Sequence, residues 1–305
     1  MSPTSPMPRR AGLDWRWVRT PDADRPAGWT TMGGFLRHRL PAHVDVSGIF
    51  ARGEVVDERG EPVEPGAAYR PNTLLWFPGP EPRDPKPDEP VRVLHADDRI
   101  VVVDKPHFQA TTPQGTHARN TTLVQLRTAG WPDVAPAHRL DRLTAGVLVF
   151  TVEARWRKLY QELFASRQVS RVYEALARAL PGAEFPLTVR SHMVKERGSL
   201  QARELPGRDP NAETRIEILE VRGELARYRL TPTTGRTHQL RVHLNRLGAP
   251  ILHDPLYPEV LADGEQPDEP LQLVARELTF IDPVDGTAHR FVSRRDLQWP
   301  ESLPT

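Results

Sequence analysis

The chain contains no cysteine. That excludes disulfides, thiol catalysis and cysteine-ligated zinc or iron–sulfur sites, and a reducing cytoplasm is the expected compartment. Lysine is scarce: four of the 41 basic residues are lysine (Lys86, Lys105, Lys158 and Lys195). Arginine suits phosphate better than lysine does, although a GC-rich genome produces the same bias. No apolar run approaches the roughly 18–20 residues needed to cross a bilayer, so no membrane association is expected. Met1–Arg10 carries two arginines but no apolar core of the kind a secretory signal requires. No glycine-rich phosphate loop, no dinucleotide fingerprint and no internal repeat occur. Net charge is also nearly absent, with 41 basic against 40 acidic residues.

What remains is a 305-residue globular chain, 27% charged and 38% hydrophobic, long enough to bury a substantial core. Its charge is unevenly spread. Residues 1–90 carry 12 basic and 13 acidic groups, residues 91–180 carry 13 and 8, and residues 181–305 carry 16 and 19. A positive middle suits a polyanionic ligand; chance fluctuation accounts for it equally well on charge alone.

Residues 1–28 are rich in Pro, Arg and Asp without a hydrophobic period and read as a loosely ordered tail. Residues 29–78 read as a small N-terminal module. Its expected helices are Met32–Leu40 and Val44–Arg52, followed by short strands at Glu54–Val56 and Leu74–Phe77. This order resembles the alpha-L RNA-binding module, although Glu54–Glu64 is acidic where an RNA-binding face is basic. Residues 79–90 (GPEPRDPKPDEP) read as a proline-rich linker, leaving 91–305 as the larger domain.

Within 91–305, Ile100–Val103, Gly146–Thr151, Val172–Ala177 and Leu271–Phe280 read as strands. Trp156, Leu159, Tyr160, Leu163 and Phe164 fall on one helix face, with Thr151 as the expected cap and Glu153 in the first turn. Ile216–Ile218 and Ala226–Leu230 alternate about a turn at Arg222-Gly223-Glu224, a hairpin. Leu240, Leu244 and Leu247 mark a helix stopped by Gly248 and Pro250. Many strands, few helices and no regular βαβ alternation indicate an α+β fold with a mixed, mainly antiparallel sheet.

Two segments concentrate polar chemistry. His138-Arg139-Leu140-Asp141-Arg142-Leu143-Thr144-Ala145-Gly146 is a loop leading into an apolar strand, where catalytic groups are commonly held. Guanidinium neighbours favour the ionised carboxylate that a nucleophile or base requires. A surface turn with an ordinary ion pair fits the same residues. In Gly235-Arg236-Thr237-His238-Gln239-Leu240-Arg241-Val242-His243 a hairpin strand runs through glycine into a helix. The helix start, with Arg236 and Arg241, suits phosphate or an acidic partner. His238 and His243 lie about 140° apart around a helix, so they do not form a metal pair; a packed core position is expected for His243.

These segments together resemble the RluA-type pseudouridine synthases. The matching runs are Val102-Val103-Asp104-Lys105-Pro106, His138 to Gly146, Arg171-Val172-Tyr173-Glu174-Ala175, Gly235 to His243 and Gly248 to Tyr257, in the family's order and spacing over about 91–295. The resemblance implies an α+β fold with a central catalytic cleft, and isomerisation of uridine to pseudouridine in structured RNA, ribosomal or transfer. It implies no cofactor and no metal, and a cytoplasmic monomer is expected. By position, Asp141 matches the catalytic aspartate, Tyr173 the tyrosine that stacks on the target base and takes its C5 proton, and Arg236 the basic partner of the aspartate. Arg139 matches the arginine that fills the place of the flipped nucleotide, and Leu230 an apolar residue of the base pocket. Arg142 and His138, in the same loop, are counted as substrate-binding. Two positions depart from the pattern: Ala145 stands where serine is common, and His253 where glycine is common.

Two other readings compete. A glycosidase built on Asp141 requires a second, opposed carboxylate, and the matched segments offer no obvious one. A catalytically inactive RNA-binding protein is the other, against which the intact Asp141, Tyr173 and Arg236 argue.

Overall fold

The computed structural model describes residues 3–22, 28–42, 44–79, 89–113, 118–261 and 269–300. The chain divides into two compact units, residues 1–85 with 114–119, and residues 86–113 with 120–305. Of the expected linker over 79–90, residues 80–88 lie outside the described residues.

In the first unit, strand β1 (Arg16–Arg19) pairs antiparallel with β2 (Leu74–Phe77), and helices α1 (Met32–Arg39) and α2 (Val46–Ala51) lie between them in sequence. Thr31 and Asp45 cap the helices by accepting from Gly34 N and Gly48 N. Met32, Phe35, Leu36, Ile49 and Phe50 bury the helix faces with Val55, Leu75 and Phe77. Two expectations change here. Part of the 1–28 segment is structured: β1 gains its backbone partners from β2, and Met7 and Trp15 pack on Val56, Leu74 and Trp76. Four residues are too short a run to register as a period. The strand expected at Glu54–Val56 is only a bridge, Val56 pairing with Pro62 and Trp76; Pro62 has no N–H to extend that pairing.

The second unit is built on a ten-stranded sheet. Its elements in chain order are β3 (Arg92–Ala96), β4 (Ile100–Lys105), α3 (Thr122–Thr128), β5 (Ala135–Pro136), β6 (Ala145–Thr151), α4 (Ala154–Ala165), β7 (Ser170–Arg178) and β8 (Leu187–Ser191). There follow a small hairpin, β9 (Met193–Val194) with β10 (Arg203–Glu204), then β11 (Ala212–Arg222), β12 (Leu225–Pro232), α5 (Gln239–Arg246), β13 (Leu273–Ile281) and β14 (Ala288–Val292). The main order is β3-β4-β6-β13-β7-β12-β11-β8, with β14 on β13 and β5 on β6. Every pairing is antiparallel except β6 with β13. The fold is α+β.

Strands β4 and β6 bury both faces, as their unbroken apolar runs require. Ile100, Val102, Val147 and Val149 pack against Tyr160 and Leu163 of α4. Val101, Val103, Leu148 and Phe150 pack against Leu123 and Leu126 of α3 on the other side. Thr151 does not cap α4. It ends β6 and donates to Ala135 O at 3.2 Å, and the cap position is Glu153, without a side-chain bond.

The parallel junction bears on function. Ala275 sits opposite Gly146, whose φ is 115°. A Cβ there would lie 2.3 Å from Ala275 O. Only glycine lets β13 approach the strand that follows the Asp141 loop.

Candidate active site

A cleft of about 750 Å³ opens between the loop before β6 and the start of α5. His138, Arg139 and Asp141 line one side; Arg236, His238 and Arg241 line the other, with Arg171 and Tyr173 from β7 between them.

The Asp141 loop is held from beneath by the segment after β4. Thr111 Oγ1 donates to Leu140 O (2.9 Å) and accepts from Leu140 N (3.1 Å). Lys105 Nζ donates to Pro106 O, Gln109 O and Arg142 O at 2.9, 2.7 and 3.3 Å. His107 Nδ1 donates to Leu143 O at 2.7 Å. Leu140, Arg142 and Leu143 thus each present a backbone oxygen to a fixed side-chain donor, with Asp141 between them. Lys105 is fully buried. Burial pushes its amine down to about 7, while three surrounding carbonyls are arranged for an ammonium.

Asp141 is half-buried. Its Oδ2 lies 3.9 Å from Arg241 Nη1 and 4.0 Å from His238 Nε2. Arg241, buried on α5, uses Nε (2.7 Å) and Nη2 on the two oxygens of Asp254. Asp254 also accepts from Leu256 N (2.9 Å) and Tyr257 N (3.2 Å), so the arginine is held by a carboxylate that is itself fixed. The sequence assigned Arg236 as the aspartate's partner; the structure gives that place to Arg241. Arg236 precedes the helix, is exposed, and donates from Nε to Asn211 O at 3.2 Å. Arg241 lies one turn further on, on the face that packs inward with Leu240 and Leu244.

The other site residues divide. Tyr173 packs against both core clusters that meet under the cleft, and burial raises its phenol pKa. Arg139 is exposed and lines the cleft. His138 lines it too, but its ring is structural. Nε2 accepts from Val149 N (3.2 Å), the ring stacks on Phe164 at 4.2 Å, and burial pushes its pKa down to about 3, so it is neutral. Arg142 is not among the lining residues; its Cζ lies 5.9 Å from the Phe108 ring centroid. Leu230 stands opposite Tyr173 in the register, but is fully buried in the core beneath Leu240 and Leu244. Leu240 and Leu273 are leucines that do line the cleft. His243 is the packed histidine expected, held between Ser191 Oγ and Thr214 Oγ1 at 2.9 Å each. His253 has φ 60°, the left-handed conformation that explains glycine's frequency at this place in the family.

Sequence reasoning missed Arg241 as the partner, Leu273, and the supporting Thr111. The signal for Arg241 was an arginine within the inward period of α5; Thr111 carries no local signal, since its contact spans 29 residues.

Asp141 is the one carboxylate among the residues lining the cleft, amid Arg139, Arg167, Arg171, Arg236 and Arg241. The arrangement holds a single anion against a basic wall beside a half-buried tyrosine. It offers no opposed carboxylate pair of the kind glycosidic hydrolysis uses, and it suits a polyanionic substrate.

Residues 99–246 match the family model described as RNA pseudouridylate synthase. The chain is 35% identical over 176 residues to the human protein named Pseudouridylate synthase RPUSD2, covering 56% of this chain and 32% of that one. It is 30% identical over 177 residues to the mitochondrial tRNA pseudouridine(32) synthase of Saccharomyces cerevisiae, covering 57% and 38%. It is 29% identical over 223 residues to the dual-specificity RNA pseudouridine synthase RluA of Escherichia coli (strain K12), covering 69% and 96%. The chain thus spans about a third of the length of the human and yeast relatives. Among solved structures, human RNA Pseudouridylate Synthase Domain Containing 4 superposes with a TM-score of 0.53 at 27% identity, over 68% of this chain and 88% of that one. Domain Containing 1 superposes at 0.57 and 24% identity, over 70% and 86%.

Proposed function

We propose that the chain is a member of the RluA-type pseudouridine synthases, to which it is similar, and that it isomerises uridine to pseudouridine in structured RNA, ribosomal or transfer. The observation that carries the reading is the lone cleft carboxylate, Asp141, with Arg241 Nη1 at 3.9 Å and Tyr173 in the same cleft.

The reaction breaks the N1–C1′ bond, turns the uracil and forms a C5–C1′ bond, with the C5 proton released. Nothing is oxidised and no atom is added from a donor. Asp141 acts on the ribose, by adding to C1′ or by taking the 2′ proton. Tyr173 supplies an aromatic face for a base out of its stack, an extrusion that costs a few kcal/mol. Arg139, an exposed residue of the cleft lining, fills the space the base leaves. Arg167, Arg171 and Arg236 meet phosphates, which carry affinity rather than sequence choice.

The test is pseudouridine mapping of unmodified ribosomal and transfer RNA transcripts, with and without the purified protein. Discrete new pseudouridines that disappear with Asp141→Asn support the reading. Their absence from both RNA classes contradicts it.

A further inference from the structure

Of the arginines that line the cleft, Arg171 is the one that the fold encloses without giving it an acid. Arg139, Arg167 and Arg236 are exposed, and Arg241 is buried against Asp254 and faces Asp141. Arg171, on β7, is half-buried. Its Nη2 donates to Thr234 O at 3.2 Å, its Nε is buried without a partner, and no ion pair to it occurs among the described residues. Half-buried arginines elsewhere in the sheet are treated differently. Arg227 of β12 and Arg276 of β13 both direct Nε to Glu174 Oε2, at 3.1 and 3.0 Å. Glu174 stands on the opposite face of β7 from Tyr173. A guanidinium drawn partly out of water without a counter-ion is costly. In a substrate cleft, such a cation marks a place for an anion of the substrate.

The residue beside it fits the same purpose. Gly235 has no positive φ, so its backbone conformation does not call for glycine. A Cβ there would lie 3.1 Å from Arg171 Nη1 and 4.0 Å from its Cζ, with no other atom in reach. What the glycine accommodates is the Arg171 guanidinium.

The anion follows from the neighbours. Arg171 and Tyr173 are two residues apart on β7 and both line the cleft; that step along a strand is about 7 Å. Burial raises the Tyr173 phenol and lowers the His138 ring, and the Arg171 charge acts on both. RNA carries its charge on its phosphodiesters, which suit the parallel N–H donors of a guanidinium. With a base on Tyr173, the distance to Arg171 is one that a single nucleotide spans from its base to its own 5′ phosphate.

We propose that Arg171 is the subsite for the 5′ phosphodiester of the extruded uridine, with Gly235 left without a side chain so that the guanidinium can lie there. This deepens the reading of the cleft as the site of isomerisation and rests on it. The exposed Arg167 and Arg236 meet phosphates of the surrounding RNA. Arg171 meets the one that enters with the target, so its contact forms as the base leaves its stack and offsets part of that cost.

The test pairs a variant with a change in the RNA. A synthetic stem-loop carries a uridine that mapping shows the wild type to modify. It is made with the natural backbone, with one uncharged methylphosphonate 5′ to that uridine, or with one methylphosphonate two nucleotides further away. Pseudouridine formation is followed under single-turnover conditions at subsaturating protein, which reads binding, extrusion and chemistry together. On the natural backbone Arg171→Met is expected to be about 10–100-fold slower than wild type. The methylphosphonate at the target slows the wild type by a similar factor, and on that RNA Arg171→Met costs no more than about threefold further. With the remote methylphosphonate the full cost of the variant returns.

Arg171→Lys keeps the charge without the fork, and Gly235→Ala shifts the guanidinium while leaving it intact. Each is expected to lose about 3–10-fold on the natural backbone and about twofold or less on the target methylphosphonate, and they carry the test where Arg171→Met does not fold. Equal costs on all three RNAs assign Arg171 to packing and overturn the proposal, as does cancellation by the remote methylphosphonate alone. A stem-loop or transcript in which the wild type forms no pseudouridine contradicts the functional reading itself, is seen before any variant is compared, and removes the proposal with it.

Discussion

Arg241 divides its guanidinium between two carboxylates: Nε and Nη2 form a fork on Asp254, and Nη1 is left 3.9 Å from Asp141. Asp254 has no side-chain exposure, and Asp141 is half-buried at the edge of the cleft. The buried pair thus fixes the direction of the one nitrogen that faces the reacting group.

Arg241→Met is therefore expected to lose isomerisation by at least about a hundredfold and to lower thermal stability, since removing one partner of a buried pair costs about 3–5 kcal/mol. Arg241→Lys keeps the charge and loses the fork, and falls between. Arg236→Met, at an exposed residue bonded to Asn211 O, keeps the single-turnover rate within about fivefold and weakens RNA affinity and its salt dependence. Single-turnover rates beside melting curves decide this; a reversal of the two arginines would return Arg236 to the partner's role.

That exchange shows where the sequence was legible. The strands Ile100–Val103 and Leu74–Phe77, the helix face carrying Tyr160 and Leu163, and the hairpin through Gly223 follow from periodicity and turn residues. Asp141, Tyr173, Arg139 and His138, all from the quoted motifs, line the cleft, His138 with a ring held by Val149 N and Phe164. Which of two arginines in one short run faces the aspartate depends on the rotation of α5 and on Asp254, thirteen residues away, and no local pattern carries that. Leu230 illustrates the same limit: strand alternation names a buried residue, while the cover supplied by Leu240 and Leu244 decides that it is core rather than cleft.

Lys105 supports the Asp141 loop through three carbonyl contacts. Lys105→Met fills similar space and leaves those oxygens without a donor, at about 1–3 kcal/mol each where they stay buried. The melting temperature is expected to fall by roughly 5–10 °C, with the single-turnover rate falling more than affinity. An unchanged melting temperature would show that water replaces the ammonium without loss.

Three buried or half-buried histidines give the fold an acid limit. Burial lowers His107 to about 4, His138 to about 3 and His243 to about 4, against about 6.5 in an unfolded chain. Between those values the unfolded chain binds more protons, so stability is fully present above about pH 6.5 and falls as pH drops toward 4. Melting temperature against pH should slope accordingly. His138→Gln, which retains an acceptor for Val149 N without titrating, should make the slope shallower. An identical slope in this variant would remove His138 from the acid response.

Tyr173→Phe keeps the aromatic face and loses the hydroxyl. RNA affinity is expected within about threefold, with release of C5 label at least about tenfold slower. Full release by this variant would take the phenol out of the proton-transfer step.

The central claim is that Asp141 carries the isomerisation. The direct measurement is single-turnover release of tritium from C5-labelled RNA by the wild type and by Asp141→Asn, with affinity measured in parallel. Release by the wild type is expected, with a fall of at least about a hundredfold in the variant and RNA binding within about threefold, because the arginines proposed to meet phosphate are other residues of the cleft. Release by Asp141→Asn at a rate close to the wild type's would contradict it.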